Sequence, residues 1–290
     1  MDEPSNVKSR TACPWIDSHH HLWRYVPGES PWMSDAMTAL RRDFSIQDLI
    51  EAADGWQLVG TVAVQARQSV QETEWLLDQA ANSPLIKGVV GWAPLVDPEV
   101  GQWLERWQGD RALKGLRHVL HDEDDDNYMQ RADFNDGIRL LRQSRLVYDL
   151  LIFGRHLPQT IQFVDRHPNQ IFVLDHIAKP RIREGLFEPW KLKIRQLAER
   201  QNVCCKLSGM VTEAAWSTWS SEELKPYFDH VLQAFGPSRL MFGSDWPVVT
   251  VAASYRRWME TVEEWLGQLS DSEAAAIRRD AAVQVYQLNQ

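Results

Sequence analysis

The stretch "CPWIDSHHHLW", residues 13–23, sets Asp17 two places before three consecutive histidines, His19, His20 and His21. Asp175 and His176 stand together in "IFVLDHIAKP", and Asp245 follows Ser244 in "LMFGSDWPV". Imidazoles and carboxylates of this kind hold divalent ions, donate hydrogen bonds to a reacting oxygen, or move protons. The triplet is too short and too far inside the chain to be a purification tag. On a strand, the two-residue period turns His19 and His21 to one side and His20 to the other. His19 and His21, with Asp175, His176, Ser244 and Asp245 at the ends of two later apolar runs, are therefore candidates for chemistry, and the pair could hold a metal or donate hydrogen bonds to a reacting oxygen.

Such residues work only if the chain brings them together. Short apolar runs, rich in Val, Ile, Leu and Phe, recur at 14–20, 58–65, 86–93, 113–119, 146–153, 171–176, 202–209 and 239–246. They hardly alternate in polarity, which is the mark of strands covered on both faces. Helix-like segments lie between several of them. One starts at Ser45 with Asp48 in capping-box position, and another at Ser69 with Glu72 three residues on. Two more closing helices follow the eighth run, the last capped by Ser270 or Ser272. Eight strands separated by helices predict an α/β fold, a single (β/α)8 TIM barrel over residues 1–290, with 1–13 as an irregular N-terminal arm. The rival, an open doubly wound sheet, lacks its glycine-rich phosphate turn after the first strand.

In a barrel of this type the site lies at the carboxyl ends of the strands. The first, sixth and eighth runs all end in histidine or aspartate, so the candidates converge on one rim. Arg117 and His118 end the fourth run and Gln65 the second, which makes them candidate substrate-binding residues. Trp23, Trp92 and Trp246 stand at or just beyond strand ends, where an indole face can cover a ring-shaped ligand. The acidic run "HDEDDDN", 121–127, reads as a solvated loop on the same rim that disfavours anionic substrates.

Composition narrows the partners. The net charge of −9 and the absence of a long basic stretch argue against nucleic acid or an anionic membrane. No apolar run approaches the roughly 20 residues of a membrane span, and the polar amino terminus has no signal-peptide core. Three cysteines, two of them adjacent, imply no disulfide framework, so a reducing cytoplasm is the expected location. Cys204 and Cys205 lie mid-strand without a basic partner, which argues against thiolate catalysis. The expected partner is a small molecule, and a homo-oligomer is compatible with the sequence.

"IDSHHHLW", "LDHIAKP" and "MFGSDWPV", in this order and supported by "KGLRH" and "KLSGM", resemble the amidohydrolase superfamily. The resemblance runs from about residue 14 to the carboxyl terminus. It is closest to the amidohydrolase-related branch that holds the sugar-lactone hydrolases and the metal-independent pyrone-dicarboxylate lactonase. It implies a barrel hydrolase that opens a sugar-derived lactone to its acid. Asp245 would take a proton from water and return it to the leaving alkoxide. His19, His21 and His176 would polarise the carbonyl, through a bound metal or directly through N–H donors. No required cofactor is the expectation, with one divalent ion as the alternative, held by His19, His21, His176 and Asp245, a nitrogen-rich set that suits zinc. A binuclear centre is not expected, because Lys114 opens its strand rather than ending it and His156 falls beyond its strand. The other readings are a zinc-dependent decarboxylase of a conjugated or aromatic acid, another C–O or C–N hydrolase of the same type, or a barrel that only binds a ligand. Loss of activity on chelation would favour the decarboxylase.

Overall fold

The computed structural model describes residues 13–30 and 32–289, so all of the expected N-terminal arm but Cys13 lies outside the described residues. Eight parallel strands run in chain order: β1 Trp15–His20, β2 Leu58–Val64, β3 Ile86–Gly91, β4 Leu113–Val119, β5 Val147–Leu151, β6 Phe172–Leu174, β7 Val203–Leu207 and β8 Leu240–Phe242. The seam closes just past β8. His20 bridges Trp246 in parallel, His21 N–H donates to the Trp246 carbonyl (2.6 Å), and Asp245 N–H donates to that of His19 (2.8 Å). This is the (β/α)8 barrel expected from the spacing of the apolar runs.

The connecting helices are α1 Ile46–Ala52, α2 Val70–Asn82, α3 Val100–Arg106, α4 Ala132–Gln143, α5 Leu157–Arg166, α6 Trp190–Ala198, α7 Ser221–Phe235 and α8 Tyr255–Leu266. A last helical stretch joins α9 Asp271–Ala275 to α10 Ala281–Tyr286 through one π-helical turn. Ser45 and Asp48 form the expected capping box, and Ser270 rather than Ser272 caps α9 with Glu273. At α2 the pattern divides. Ser69 accepts from the Glu72 amide, but the Glu72 carboxylate turns away to the amides of Ala66 and Arg67 (2.5 and 2.9 Å) and clamps the turn after β2. Helices α3, α4 and α7 have no counterpart in the sequence reading; α7 carries Pro226 inside it, which masks its pattern.

The barrel interior is layered. Ile16, Val62, Val90, Val147, Val173, Cys204 and Met241 form an apolar lower layer, closed from below by Ala281, Val285 and Tyr286 of α10. Two residues further along the strands, the period of two brings charge inward: Arg117, Asp149, Asp175 and Lys206 meet across the barrel although β4 and β6, and β5 and β7, are not neighbours. Side chains of non-neighbouring strands meet only inside a closed sheet. Packing fills the other side of the strands, where Trp15 and Trp258 are fully buried and the Trp258 indole N–H donates to the Gly243 carbonyl (3.0 Å).

Candidate active site

β1 and the residue just past it, His21, hold the pair that period two selects. The Nε2 atoms of His19 and His21 are 3.2 Å apart. His20 adds neither ring nitrogen to them; both of its nitrogens are buried without a hydrogen-bond partner. Asp17 ties the strand to its neighbour across the seam, since its Oδ1 accepts from the amides of His19 (3.2 Å) and Ser244 (2.8 Å) and its Oδ2 from the Tyr255 hydroxyl (3.3 Å). Burial pushes the Asp17 carboxyl up to about 6.

The other two candidates come from beyond their strands. The expected sixth and eighth strands reach 176 and 246, but β6 stops at Leu174 and β8 at Phe242. From His176 to Lys179 four successive residues take positive φ (52°, 49°, 61° and 47°), and Asp245 stands at 57°. Non-glycine residues reach this region at a cost of order 1–3 kcal/mol each, and such strain gathers at functional sites. Gly209, at φ +62°, makes room for this turn, for a Cβ there would lie 2.6 Å from Nδ1 of His176. His176 Nδ1 faces Ser208 Oγ at 2.9 Å, and its Nε2 is 4.0 Å from Asp245 Oδ1.

The four candidates therefore meet. Asp245 Oδ1 lies 3.4 Å from His21 Nε2 and 3.8 Å from His19 Nε2. Burial acts to raise the Asp245 carboxyl, but the neighbouring His176 ring and the nearby Lys179 ammonium hold it below the ordinary carboxylate range. Burial pushes the His176 imidazole well below its usual value; burial and then the Lys206 ammonium do the same to His19. The site thus presents an ionised Asp245 carboxylate against the neutral imidazoles of His19 and His176 at pH 7.

His19, His21 and Asp245 form a group able to hold a metal ion, and His19, Asp175 and His176 form a second. Two nitrogens bound tetrahedrally at about 2.05 Å from zinc sit roughly 3.3 Å apart. The separations of 3.2, 3.4 and 3.8 Å in the first group fit that requirement. His21 Nδ1 faces the Val64 carbonyl at 2.8 Å, so its proton sits there and its Nε2 lone pair faces the group, as in a metal-ligating histidine.

The substrate-side candidates separate. Arg117 points into the barrel and spends its donors on protein: Nη1 on Asp175 Oδ2 (2.9 Å) and Nη2 on Gln65 Oε1 (3.0 Å), with Nη1 also 3.3 Å from His19 Nε2. Gln65 is thereby held in place, and its amide lies 3.4 Å from the Arg117 carbonyl. His118, next in sequence, takes the opposite face of β4. It accepts from the Trp92 indole (3.2 Å), contacts Glu123 (2.6 Å) and stacks on Tyr128, so His118 and Trp92 pair with each other rather than with the four candidates. Trp23 flanks His21, ring centroids 6.4 Å apart, and Trp246 packs edge-on against Phe44. A cavity of about 670 Å³ opens between the loops after β5, β6 and β7, bordered by Phe153, Arg155, Lys179, Glu213 and Trp216.

Three other expectations can be placed. Lys114 Nζ donates to the Gln287 carbonyl near the chain's end, and His156 pairs with Asp126 (2.8 Å), so neither joins the cluster. The acidic run is more than a solvated loop. Glu123 binds His118, Asp126 binds Arg155 and His156, and His121 stacks on Phe153. Cys204 and Cys205 are buried free thiols, and burial pushes Cys204 up to about 11. In the charged layer, Asp175 stands out at a strand end, whereas Asp149 and Lys206 lie within their runs. A lone Asp in "VYDLLIF" and a lone Lys in "NVCCKLSG", each in step with an inward neighbour, are its signals in the sequence.

A parallel barrel whose carboxyl-terminal rim joins histidines of β1, a histidine after β6 and an aspartate after β8 is the architecture of a barrel hydrolase. The amidohydrolase family model matches residues 16–288, and the chain belongs to that family. It is 39% identical over 284 residues to a protein of Burkholderia multivorans named L-fucono-1,5-lactonase, covering 94% of this chain and 96% of that one. A protein of Burkholderia ambifaria with the same name is 34% identical over 266 residues, covering 90% and 91%. A crystal structure of an amidohydrolase from Burkholderia multivorans with bound zinc superposes with a TM-score of 0.91 at 39% identity, covering 95% of this chain and 99% of that one.

Proposed function

We propose that this chain hydrolyses a sugar-derived lactone, an aldonolactone, to its acid, with 1,5-lactones of the L-fucono type as the first candidates. The observation that carries the reading is the ionised Asp245 carboxylate set against the ring nitrogens of His19, His21 and His176 on the barrel rim, in a chain whose relatives over nearly its full length bear lactonase names.

Asp245 acts as the general base. It takes a proton from a water that attacks the lactone carbonyl carbon, and the carbonyl becomes a tetrahedral oxyanion. Ring N–H groups of His176 and His19 stabilise that oxygen; His176 Nδ1 is paired with the Ser208 hydroxyl, and Nε2 is the side that faces Asp245. His21 takes a different part from its neighbours, because the Val64 carbonyl claims its Nδ1 proton and leaves only a lone pair at Nε2. The intermediate collapses by expelling the ring oxygen, which receives the proton from Asp245, and the ring opens to the hydroxy acid. A zinc ion held by His19, His21 and Asp245 would supply Lewis-acid polarisation of the carbonyl. Trp23 and the cavity beside Lys179 offer aromatic and polar surface to the rest of the sugar.

The test is a panel of aldonolactones followed by proton release, with and without chelator. Wild-type protein should open at least one of them, and Asp245→Asn should lower kcat by about 10³-fold while keeping the fold, in line with the loss of a general base. Folded wild-type protein that turns over none of the lactones would refute the reading.

A further inference from the structure

His19 is contacted on both ring nitrogens by groups that cannot all be satisfied at once. Nδ1 lies 3.1 Å from the Lys206 ammonium, which only donates, and 3.3 Å from Asp175 Oδ1, which only accepts. Nε2 lies 3.2 Å from His21 Nε2 and 3.3 Å from Arg117 Nη1. A neutral imidazole has one N–H and one lone pair, so two arrangements of the same net charge compete. In one, Nδ1–H donates to Asp175 and the Nε2 lone pair faces the site. In the other, Nδ1 accepts from Lys206 and Nε2–H faces the site.

Counting partners decides between them. Lys206 is fully buried and has three N–H groups; its neighbours are Asp149 Oδ2 (2.5 Å), Asp175 Oδ1 (3.0 Å) and His19 Nδ1 (3.1 Å). Its hydrogen bonds go to Asp149 and His19, and the second forms only when His19 Nδ1 is an acceptor. Asp175 Oδ1, 3.3 Å from that nitrogen, has no hydrogen-bond partner, so the geometry favours Lys206 over Asp175 at Nδ1. The His21 Nε2 lone pair, left by the bond of Nδ1 to Val64, likewise needs a donor, and His19 Nε2–H supplies it. Arg117 does not need His19, since it already has Asp175 and Gln65. The opposite arrangement strands one Lys206 N–H and the His21 lone pair in the interior, where unpaired polar groups are costly.

We propose that Lys206 is a positioning residue that holds the proton of His19 on Nε2, where it bonds His21 in the resting site and turns to the substrate oxygen once substrate binds, and that it withholds the lone pair a metal needs. Metal uptake at His19, His21 and Asp245 then competes with the Lys206–His19 bond. Lys206 thus tunes the site toward hydrolysis by its own side chains. The catalytic half of this inference rests on the lactonase reading; the metal half does not.

The test pairs two measurements on the full-length protein. The double variant Lys206→Met/Asp149→Asn removes one charge of each sign and keeps an acceptor for the Tyr286 hydroxyl, which bonds Asp149 at 2.8 Å. Its zinc affinity, read by competition with a chromogenic chelator, should be at least about tenfold tighter than that of wild type, with chelator-resistant kcat at least about tenfold lower and KM little changed. Unchanged zinc affinity in the folded variant would overturn the proposal. Independently, long-range ¹H–¹⁵N spectra of metal-free wild-type protein labelled at histidine should show the His19 proton on Nε2. A proton on Nδ1 overturns the proposal whatever the variant does. Wild-type protein that opens no lactone refutes the lactonase reading while the zinc and NMR measurements still decide the role of Lys206.

Discussion

At the scale of the residue, His20 is the counterweight to its two neighbours. Its nitrogens are buried without partners, and burial pushes its imidazole down to about 3. The folded value is below the unfolded one of about 6.5, so the unfolded chain takes up the proton first and stability is lost as pH falls from 6.5 toward 3. Asp17, raised to about 6, works the other way: the folded chain takes up its proton first, and stability is lost as pH rises from about 3.8 to 6. His20→Leu removes only the first effect. Its stability advantage in urea unfolding should grow by about 2 kcal/mol between pH 7 and pH 5, at about 1.4 kcal/mol per pH unit below 6.5. A constant difference would show that His20 does not titrate as its burial requires. The same variant should keep activity within about threefold of wild type, whereas His19→Ala or His21→Ala should lose about a hundredfold or more.

At the scale of the element, what matters is how short turns beyond the strands aim side chains. Gly209→Ala brings a Cβ against His176, while Gly185→Ala, at a similar φ of +65°, meets nothing within 4 Å. Both should lose about 1–2 kcal/mol from backbone strain. Only the first should also lower kcat, by about tenfold or more, as His176 is displaced. Equal kcat in the two variants would remove His176 from the mechanism. Much of this level was legible in the sequence, because strands covered on both faces read as apolar runs and their polar ends stand out. Period two separated His19 and His21 from His20, and applied at β4 it also separates inward Arg117 from outward His118, a pair the sequence reading grouped. The left-handed path from His176 to Lys179 was not legible, since no glycine marks it and the packed rim, rather than local preference, imposes it. Asp149 was hidden, and Lys206 ambiguous, for a related reason. A charge balanced across the barrel looks isolated in a single strand.

At the scale of the whole molecule, the end of the chain supports its beginning. The last helix covers the lower mouth of the barrel, and the Tyr286 hydroxyl reaches both oxygens of Asp149 (2.9 and 2.8 Å), which holds Lys206, which meets His19. Tyr286→Phe leaves a buried carboxylate short of a donor and should cost about 1–3 kcal/mol, lowering Tm by several degrees. A melting curve that matches wild type would show that the helix closes the barrel by apolar contact alone. Among the described residues no helix is long and apolar enough to cross a membrane.

Four residues in succession with left-handed backbone, ending at Lys179, have a better shape available to them and are kept from it only by what surrounds them. His176, Ile177 and Ala178 are buried, so the packed rim is what holds them there. Any loosening of that packing on warming releases the stored strain before the strands need separate. Activity during heating should therefore fall at a lower temperature than the barrel's circular dichroism, and coincident curves would show that the turn yields only with the fold.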